Sequence, residues 1–222
     1  MIEQILPAAV EAVDTFGDPV EAVLLPEEEP YVSGAVEARR REYTTVRHCA
    51  RVALARLGRG PVAIHPGTRR APCWPDGLVG SMTHCDGYRA AAVGRDTDVS
   101  ALGIDAEPNL PLPAGVSALV LLDNERRRLA ALSADTAAVC WDRLLFSAKE
   151  SVYKAVSPRT GQWLGFEDVE VLPVSGPGGG RGRFTVRAQP QAPAPARVLV
   201  ERLTGRFLVN HGLVVTAVIT QQ

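Results

Sequence analysis

Lysine is almost absent from this 222-residue chain: 22 of its 24 basic residues are arginine, and Lys149 and Lys154 share one decapeptide, FSAKESVYKA. A coding bias accounts for the arginines, because most surface positions need only a positive charge. The two exceptions need a reason of their own, since a compact ammonium and a planar guanidinium differ in size, reach and donor geometry. Net charge is nearly absent as well, at -1 with a pI near 6.4, which argues against a dedicated nucleic-acid binder with its basic excess. No apolar run approaches the ~18 residues of a membrane span. The N-terminus, MIEQILPAAVEAVDTFGD, has no basic region and no small-residue cleavage site, so no secretory leader is expected and the cytoplasm is the expected location. The four cysteines, Cys49, Cys73, Cys85 and Cys140, include no CxxC pair, and free thiols are expected. His48-Cys49 and His84-Cys85 lack the loop spacing of structural zinc sites. Also missing are a G-x-S-x-G nucleophile elbow and a Walker A loop, and GPGGGRG does not lead into a helix as a dinucleotide fingerprint would.

What remains suffices for a sizeable core: 46% of the residues are hydrophobic and 22% charged. Between Ser33 and Leu57, Val36, Tyr43, Val46, Ala50, Ala53, Leu54 and Leu57 recur at helical spacing, with Ser33 as candidate N-cap and Gly58 as stop. The other face of this helix carries Arg39, Arg40, Arg47 and Arg51, a basic stripe dense enough to suggest an anionic partner. The breaker-rich loop HPGTRRAPCWPDG follows, then LVGSMTH, YRAAAVG and VSALGIDAE as strands. NLPLPAG reads as a crossing between lobes. In the second half, VSALVLLDNERRRLAAL is helical with a restart at Asp123 or Asn124. A second long helix, about Thr136 to Ala155, buries Trp141, Leu144, Leu145, Ala148 and Val152. FEDVEVLPV, GRFTVRA, ARVLVERL and HGLVVTAVIT read as strands of a meander, separated by GPGGGRG and QPQAPAPA. Each half therefore has a long helix and several strands, an α+β chain of two lobes spanning residues 1–108 and 109–222.

Three groups of residues carry chemistry. Strand alternation through GIDAE puts Asp105 and Glu107 on one face and Ile104 and Ala106 on the other. Two carboxylates that close repel unless a cation sits between them, and hard oxygen ligands select Mg²⁺ or Mn²⁺. In AKESVYK the apolar face leaves Lys149, Glu150, Tyr153 and Lys154 on the opposite side, with Glu150 and Lys154 as i,i+4 neighbours. In SMTHC, Thr83 and His84 at a strand end offer donors for phosphate. Arginines against a polyanion and carboxylates for a divalent metal are together what phosphoryl transfer requires.

In this order and spacing, RRREYTTVRHCARVAL, PCWPDGLVGSMTHC, GIDAE and FSAKESVYK resemble the 4′-phosphopantetheinyl transferases of the surfactin-synthetase-activating (group II) class, most nearly the actinobacterial members that modify fatty-acid, polyketide and nonribosomal peptide synthases. The resemblance runs from about Pro26 to the C-terminus. It implies a pseudo-twofold monomer of two similar lobes, each a small, mostly antiparallel sheet against a long helix, acting without nucleic acid or membrane. Coenzyme A and Mg²⁺, with Mn²⁺ as an alternative, would lie between the lobes. A serine of an apo acyl or peptidyl carrier protein would attack the β-phosphate of coenzyme A, leaving 3′,5′-ADP. By motif position Asp105, Glu107 and Glu150 would bind metal, with Glu150 also the candidate base. Lys149 and Lys154 would neutralise the pyrophosphate, Thr83 and His84 would bind nucleotide phosphates, and Arg39 with Arg47 would meet the 3′-phosphate. Helical spacing alone would pair Arg40 with Arg47, so Arg39 and Arg40 both stay open.

This chain departs from that pattern at Pro66, where similar enzymes commonly have a lysine. Arg69 and Arg70 are the obvious substitutes, and His65 a weaker one. Ala106 offers no ligand, which leaves water to complete a metal shell. The competing expectation is a coenzyme A or nucleotide-binding regulatory module without turnover. A metal-dependent phosphodiesterase or nuclease is disfavoured by the acidic pI.

Overall fold

A computed structural model describes residues 1–135, 138–176 and 178–221. The chain forms eight strands and five α-helices among these residues. Strands β1 (Val10–Phe16), β2 (Leu78–Cys85) and β3 (Tyr88–Arg95) make an antiparallel sheet in the order β1-β3-β2, backed by helix α1 (Glu37–Arg56). Strands β4 (Val99–Pro108), β5 (Val169–Ser175), β6 (Arg181–Ala188), β7 (Thr204–Asn210) and β8 (Leu213–Gln221) make a second antiparallel sheet, in the order β4-β8-β7-β6-β5. Helix α4 (Trp141–Thr160) lies across its β4–β8 side. Two short helices, α2 (Val116–Val120) and α3 (Asp123–Asp135), precede α4, and α5 (Ala194–Val200) joins β6 to β7. No helix among the described residues is long and apolar enough to cross a membrane.

Strand alternation explains the layering. Ala91 and Val93 of β3 pack with Cys49, Ala50, Ala53 and Leu54 of α1, while Tyr88, Ala90 and Ala92 face the other way. There they meet Leu102, Ile104 and Ala106 of β4 and Val215, Ala217 and Ile219 of β8, so the two sheets stack face to face. The far face of the second sheet packs on α4 through Ala101, Val214 and Val218 against Leu144, Ala148, Val152 and Ala155. The layers therefore run helix, sheet, sheet, helix. β4 follows the first sheet in sequence but hydrogen-bonds to β8 and packs against β2, which ties the halves together.

Several sequence expectations are corrected. ARVLVERL is not a strand: its first half is α5, where Pro195 occupies an early helical position and Ala196 and Val200, four residues apart, are fully buried. The strand in this region is TGRFLVN, and β1 went unassigned. Helix α1 starts at Glu37 with Val36 at the cap, because the Ser33 hydroxyl donates to the Pro30 carbonyl in the preceding turn. The start at Thr136 expected for the second long helix falls outside the described residues, and α4 itself begins at Trp141.

The seating of α4 depends on small residues. A Cβ built on Gly103 would lie 1.9 Å from the Ser151 carbonyl oxygen, backbone against backbone. Ser147 and Ser151 are fully buried, and both hydroxyls bond the Thr216 hydroxyl, at 2.9 and 2.7 Å. Thr216 is the cross-strand partner of Asp105. Gly103→Ala is therefore expected to force α4 off the sheet and cost about 1–3 kcal/mol or more of stability, read as a lower urea midpoint at unchanged slope. A midpoint equal to that of the parent chain would refute this account of the glycine.

Candidate active site

A cleft of about 610 Å³ lies between α1, the loop around residues 66–72, β2 and the C-terminal half of α4. Its walls include Arg39, Arg47, Arg69, Arg70, His84, Glu150, Tyr153 and Lys154. Residues 115 positions apart in sequence thus face one space. They come from both long helices, the loop around residues 66–72 and β2.

Of the basic stripe, only part reaches this cleft. Arg40 turns away to pair with Glu29, and Arg51 binds the fully buried Glu28 at 2.9 Å. Arg39 faces the cleft and donates from Nη1 to His84 Nε2 at 2.8 Å. Arg39 and not Arg40 therefore lines this cleft, although helical spacing alone would have paired Arg40 with Arg47. Arg47 is buried rather than solvated: its guanidinium lies 3.2 Å over the Tyr43 ring, and Nε donates to the Ile64 carbonyl at 3.0 Å. Burial lowers its pKa to about 10, which leaves it cationic at neutral pH.

His84 has a defined tautomer here. Arginine can only donate, so Nε2 accepts and the ring proton sits on Nδ1, 3.4 Å from Glu42. Burial, with Arg39 and Lys154 nearby, lowers the His84 pKa against the opposing pull of Glu42. Arg69 and Arg70 both adopt left-handed backbone, at φ 54° and 63°, in a loop closed by the Pro66–Pro72 bridge. Arg69 donates to the Gly161 carbonyl beyond α4, which stretches the loop across the cleft. Pro66 lines the wall without a donor, and Arg69 and Arg70 line it beside Pro66.

Beside the cleft stand the three carboxylates. Asp105 and Glu107 share the α4-facing side of β4, each with a cation from that helix: Lys154 Nζ at 2.7 Å from Asp105, and Arg143 Nη1 at 2.8 Å from Glu107. Glu150 lines the cleft and has no hydrogen bond or ion pair with the described residues, so the expected i,i+4 pair with Lys154 does not form. Burial, reinforced by Asp105, raises the pKa of both Glu107 and Glu150. Among the described residues no three ligand groups form a ready-made metal cluster. The chemistry of the set nonetheless suits a hard divalent cation: Asp105 Oδ2 is buried with no hydrogen-bond partner, and Asp105 repels both Glu107 and Glu150.

Two expected ligand contacts lie elsewhere. Thr83 is buried, and its hydroxyl is fully used: it donates to Asp105 Oδ1 at 3.1 Å and accepts from the Ala106 amide and Lys154 Nζ. It orients Asp105 and joins β2 to β4, with no lone proton left for a phosphate. Lys149 does not share the polar face with Glu150. It is buried on the α3 side, 2.8 Å from Glu125, and donates to the Val120 and Phe166 carbonyls. At 3.6 residues per turn, positions five apart point roughly 140° from each other, so Lys149 and Lys154 leave α4 on different sides, Lys149 toward Glu125 and Lys154 toward Asp105.

Sequence reading missed Glu28, Glu42, Arg143 and the close-packing role of Gly103. For Gly103 a signal existed, a glycine inside an apolar strand, which marks close backbone approach. The acidic residues of the N-terminal segment carried no pattern that singled out Glu28.

Comparison with known proteins identifies the family. A family model described as the 4′-phosphopantetheinyl transferase N-terminal domain matches residues 27–94, and one for the 4′-phosphopantetheinyl transferase superfamily matches residues 101–199. The chain is 49% identical to the 4′-phosphopantetheinyl transferase Svp of Streptomyces mobaraensis, over 98% of this chain and 88% of that one. It is 44% identical to PptT of Mycobacterium tuberculosis, over 99% and 97%, and 43% identical to Npt of Nocardia iowensis, over 98% and 99%. Identity at this level over nearly whole chains, together with the two family-model matches, establishes that the chain belongs to the 4′-phosphopantetheinyl transferase family.

Proposed function

We propose that this chain is a Mg²⁺-dependent, cytoplasmic, monomeric transferase of the surfactin-synthetase-activating class, which takes the phosphopantetheine arm from coenzyme A. As a family member it is an enzyme that moves phosphopantetheine onto carrier proteins. The single observation that supports the finer reading is the cleft, which brings Arg39, Arg47, Arg69 and Arg70 into one space with Glu150 and with Lys154, itself paired to Asp105.

In this reading the adenosine end, with its 3′-phosphate, lies toward Arg39, Arg47 and His84, and the pyrophosphate lies toward Lys154 and Arg69. Glu150, unpaired and with its pKa raised, takes the proton of the carrier serine. The serine oxygen then forms its bond to the β-phosphorus as the bond to the bridging oxygen breaks, and 3′,5′-ADP departs. Lys154 sits where it can meet the charge that develops on the phosphate oxygens. Asp105, Glu107 and Glu150 would hold Mg²⁺, which when bound supplies neutralisation of the pyrophosphate. For Glu107 this means exchanging or sharing its bond to Arg143.

The test is to incubate the protein with coenzyme A, Mg²⁺ and several apo acyl and peptidyl carriers and to weigh the carriers. A phosphopantetheine mass gain that vanishes with a chelator and returns with Mg²⁺ is expected. A gain indifferent to the chelator would overturn the metal assignment, and no gain with any carrier would leave the regulatory coenzyme A-binding reading.

A further inference from the structure

Glu28 is a carboxylate with no solvent exposure that the transfer chemistry does not use. Both oxygens are engaged. Oε2 accepts from the Leu25 amide at 3.0 Å, Oε1 accepts from the Ile64 amide at 2.9 Å, and Arg51 Nη1 donates to both oxygens at 3.0 and 2.9 Å. Arg47 Nε lies 3.7 Å from Oε1. Ile64 is thus held at both of its backbone polar groups, its N–H by Glu28 and its carbonyl by Arg47 Nε.

The consequence falls on Arg47. Its Nε is spent on Ile64, Nη1 reaches the Tyr43 carbonyl at 3.4 Å, and the Tyr43 ring closes one face of the guanidinium. Nη2 has no hydrogen-bond partner among the described residues, in a side chain that lines the cleft. Held in this way, the fork presents one preset edge to a ligand, and the ordering entropy is spent before binding. The same grip fixes the start of the segment that leads through His65 to Pro66 on the cleft wall.

We infer that Glu28 is a positioning residue: by clamping Ile64 and Arg47 it sets the cleft's discrimination in favour of a ligand that carries an extra phosphate monoester. This rests on the proposed placement of the 3′-phosphate at Arg47. The carboxylate never touches the ligand. Neutralising it loosens the Ile64 segment whose carbonyl holds Arg47 Nε, so the guanidinium is free to rotate and affinity for the extra phosphate falls while the rest of the ligand is held as before.

Calorimetric dissociation constants for coenzyme A and for dephosphocoenzyme A, which lacks the 3′-phosphate, test the inference in the parent chain, Glu28→Gln and Arg47→Lys. Glu28→Gln is expected to weaken coenzyme A about tenfold, the size of one charged hydrogen bond, while dephosphocoenzyme A changes by less than about twofold. Equal weakening of both ligands marks a merely structural residue and overturns the inference. Discrimination lost in Arg47→Lys but kept in Glu28→Gln also overturns it, and leaves the 3′-phosphate reading standing. Discrimination kept in Arg47→Lys overturns that reading, and the inference with it. Should Glu28→Gln fail to fold by circular dichroism, Glu28→Asp, which keeps the charge but withdraws the oxygens by one methylene, is measured in its place under the same outcomes. Failure of both to fold assigns Glu28 to stability alone and overturns the proposal.

Discussion

Glu150→Gln is expected to lower the transfer rate by a factor of about 10²–10⁴, the range for loss of a positioned general base. The two side chains have nearly the same shape, so packing on α4 is kept, and Glu150 makes no hydrogen bond or ion pair with the described residues that the amide could lose. What disappears is a proton acceptor and a negative charge near Asp105. Coenzyme A affinity is expected to stay within about tenfold, because such a group acts mainly in the transition state. Removing an acid from a cleft that binds a polyanion even favours ground-state binding somewhat. Single-turnover transfer to an apo-carrier, together with equilibrium binding of coenzyme A, separates the two effects. Weak binding with a normal rate for the bound fraction would show that Glu150 holds the ligand and does not act on the serine.

Much of this site was legible because short periods carry direction. Strand alternation was enough to set Asp105 and Glu107 on one face, where the structure has them. The helical period was enough to put Trp141, Leu144, Leu145, Ala148 and Val152 into the core. Charge pairing was much less legible, because it depends on segments distant in sequence. The arginine stripe of α1 looked like one basic surface, yet Glu28 and Glu29 from the preceding segment fold over it and claim Arg40 and Arg51. Thr83 read as a free hydroxyl because its acceptor and donors all lie on β4 and α4, more than twenty residues away. The strand expected over ARVLVERL failed for another reason: a short apolar run suits strand or helix alike, and two early prolines decided it.

The scarcity of lysine now has a geometric reason. An ammonium presents three donors from one point, and each lysine meets three acceptors: Glu125 with the Val120 and Phe166 carbonyls around Lys149, and Asp105 with the Thr83 hydroxyl and Ile104 carbonyl around Lys154. A planar guanidinium cannot converge on either set. For Lys149 this places the reason in the fold and not at a phosphate, since burial lowers its pKa and Glu125 opposes that shift. Lys149→Met is therefore expected to destabilise the protein by about 3–5 kcal/mol, since it strands a buried Glu125 charge and leaves two carbonyls without a donor. Glu125 also accepts from the Leu122 and Val171 amides, so it ties α3 to β5 as well as to α4. Adding Glu125→Gln to Lys149→Met should recover part of the loss, because it removes the uncompensated charge while its one amide oxygen still accepts from one of the two N–H groups. Urea unfolding of the parent and of the single and double variants gives the comparison. Equal midpoints for parent and Lys149→Met would remove the structural role, and a loss of coenzyme A affinity beyond what unfolding explains would return Lys149 to the phosphates.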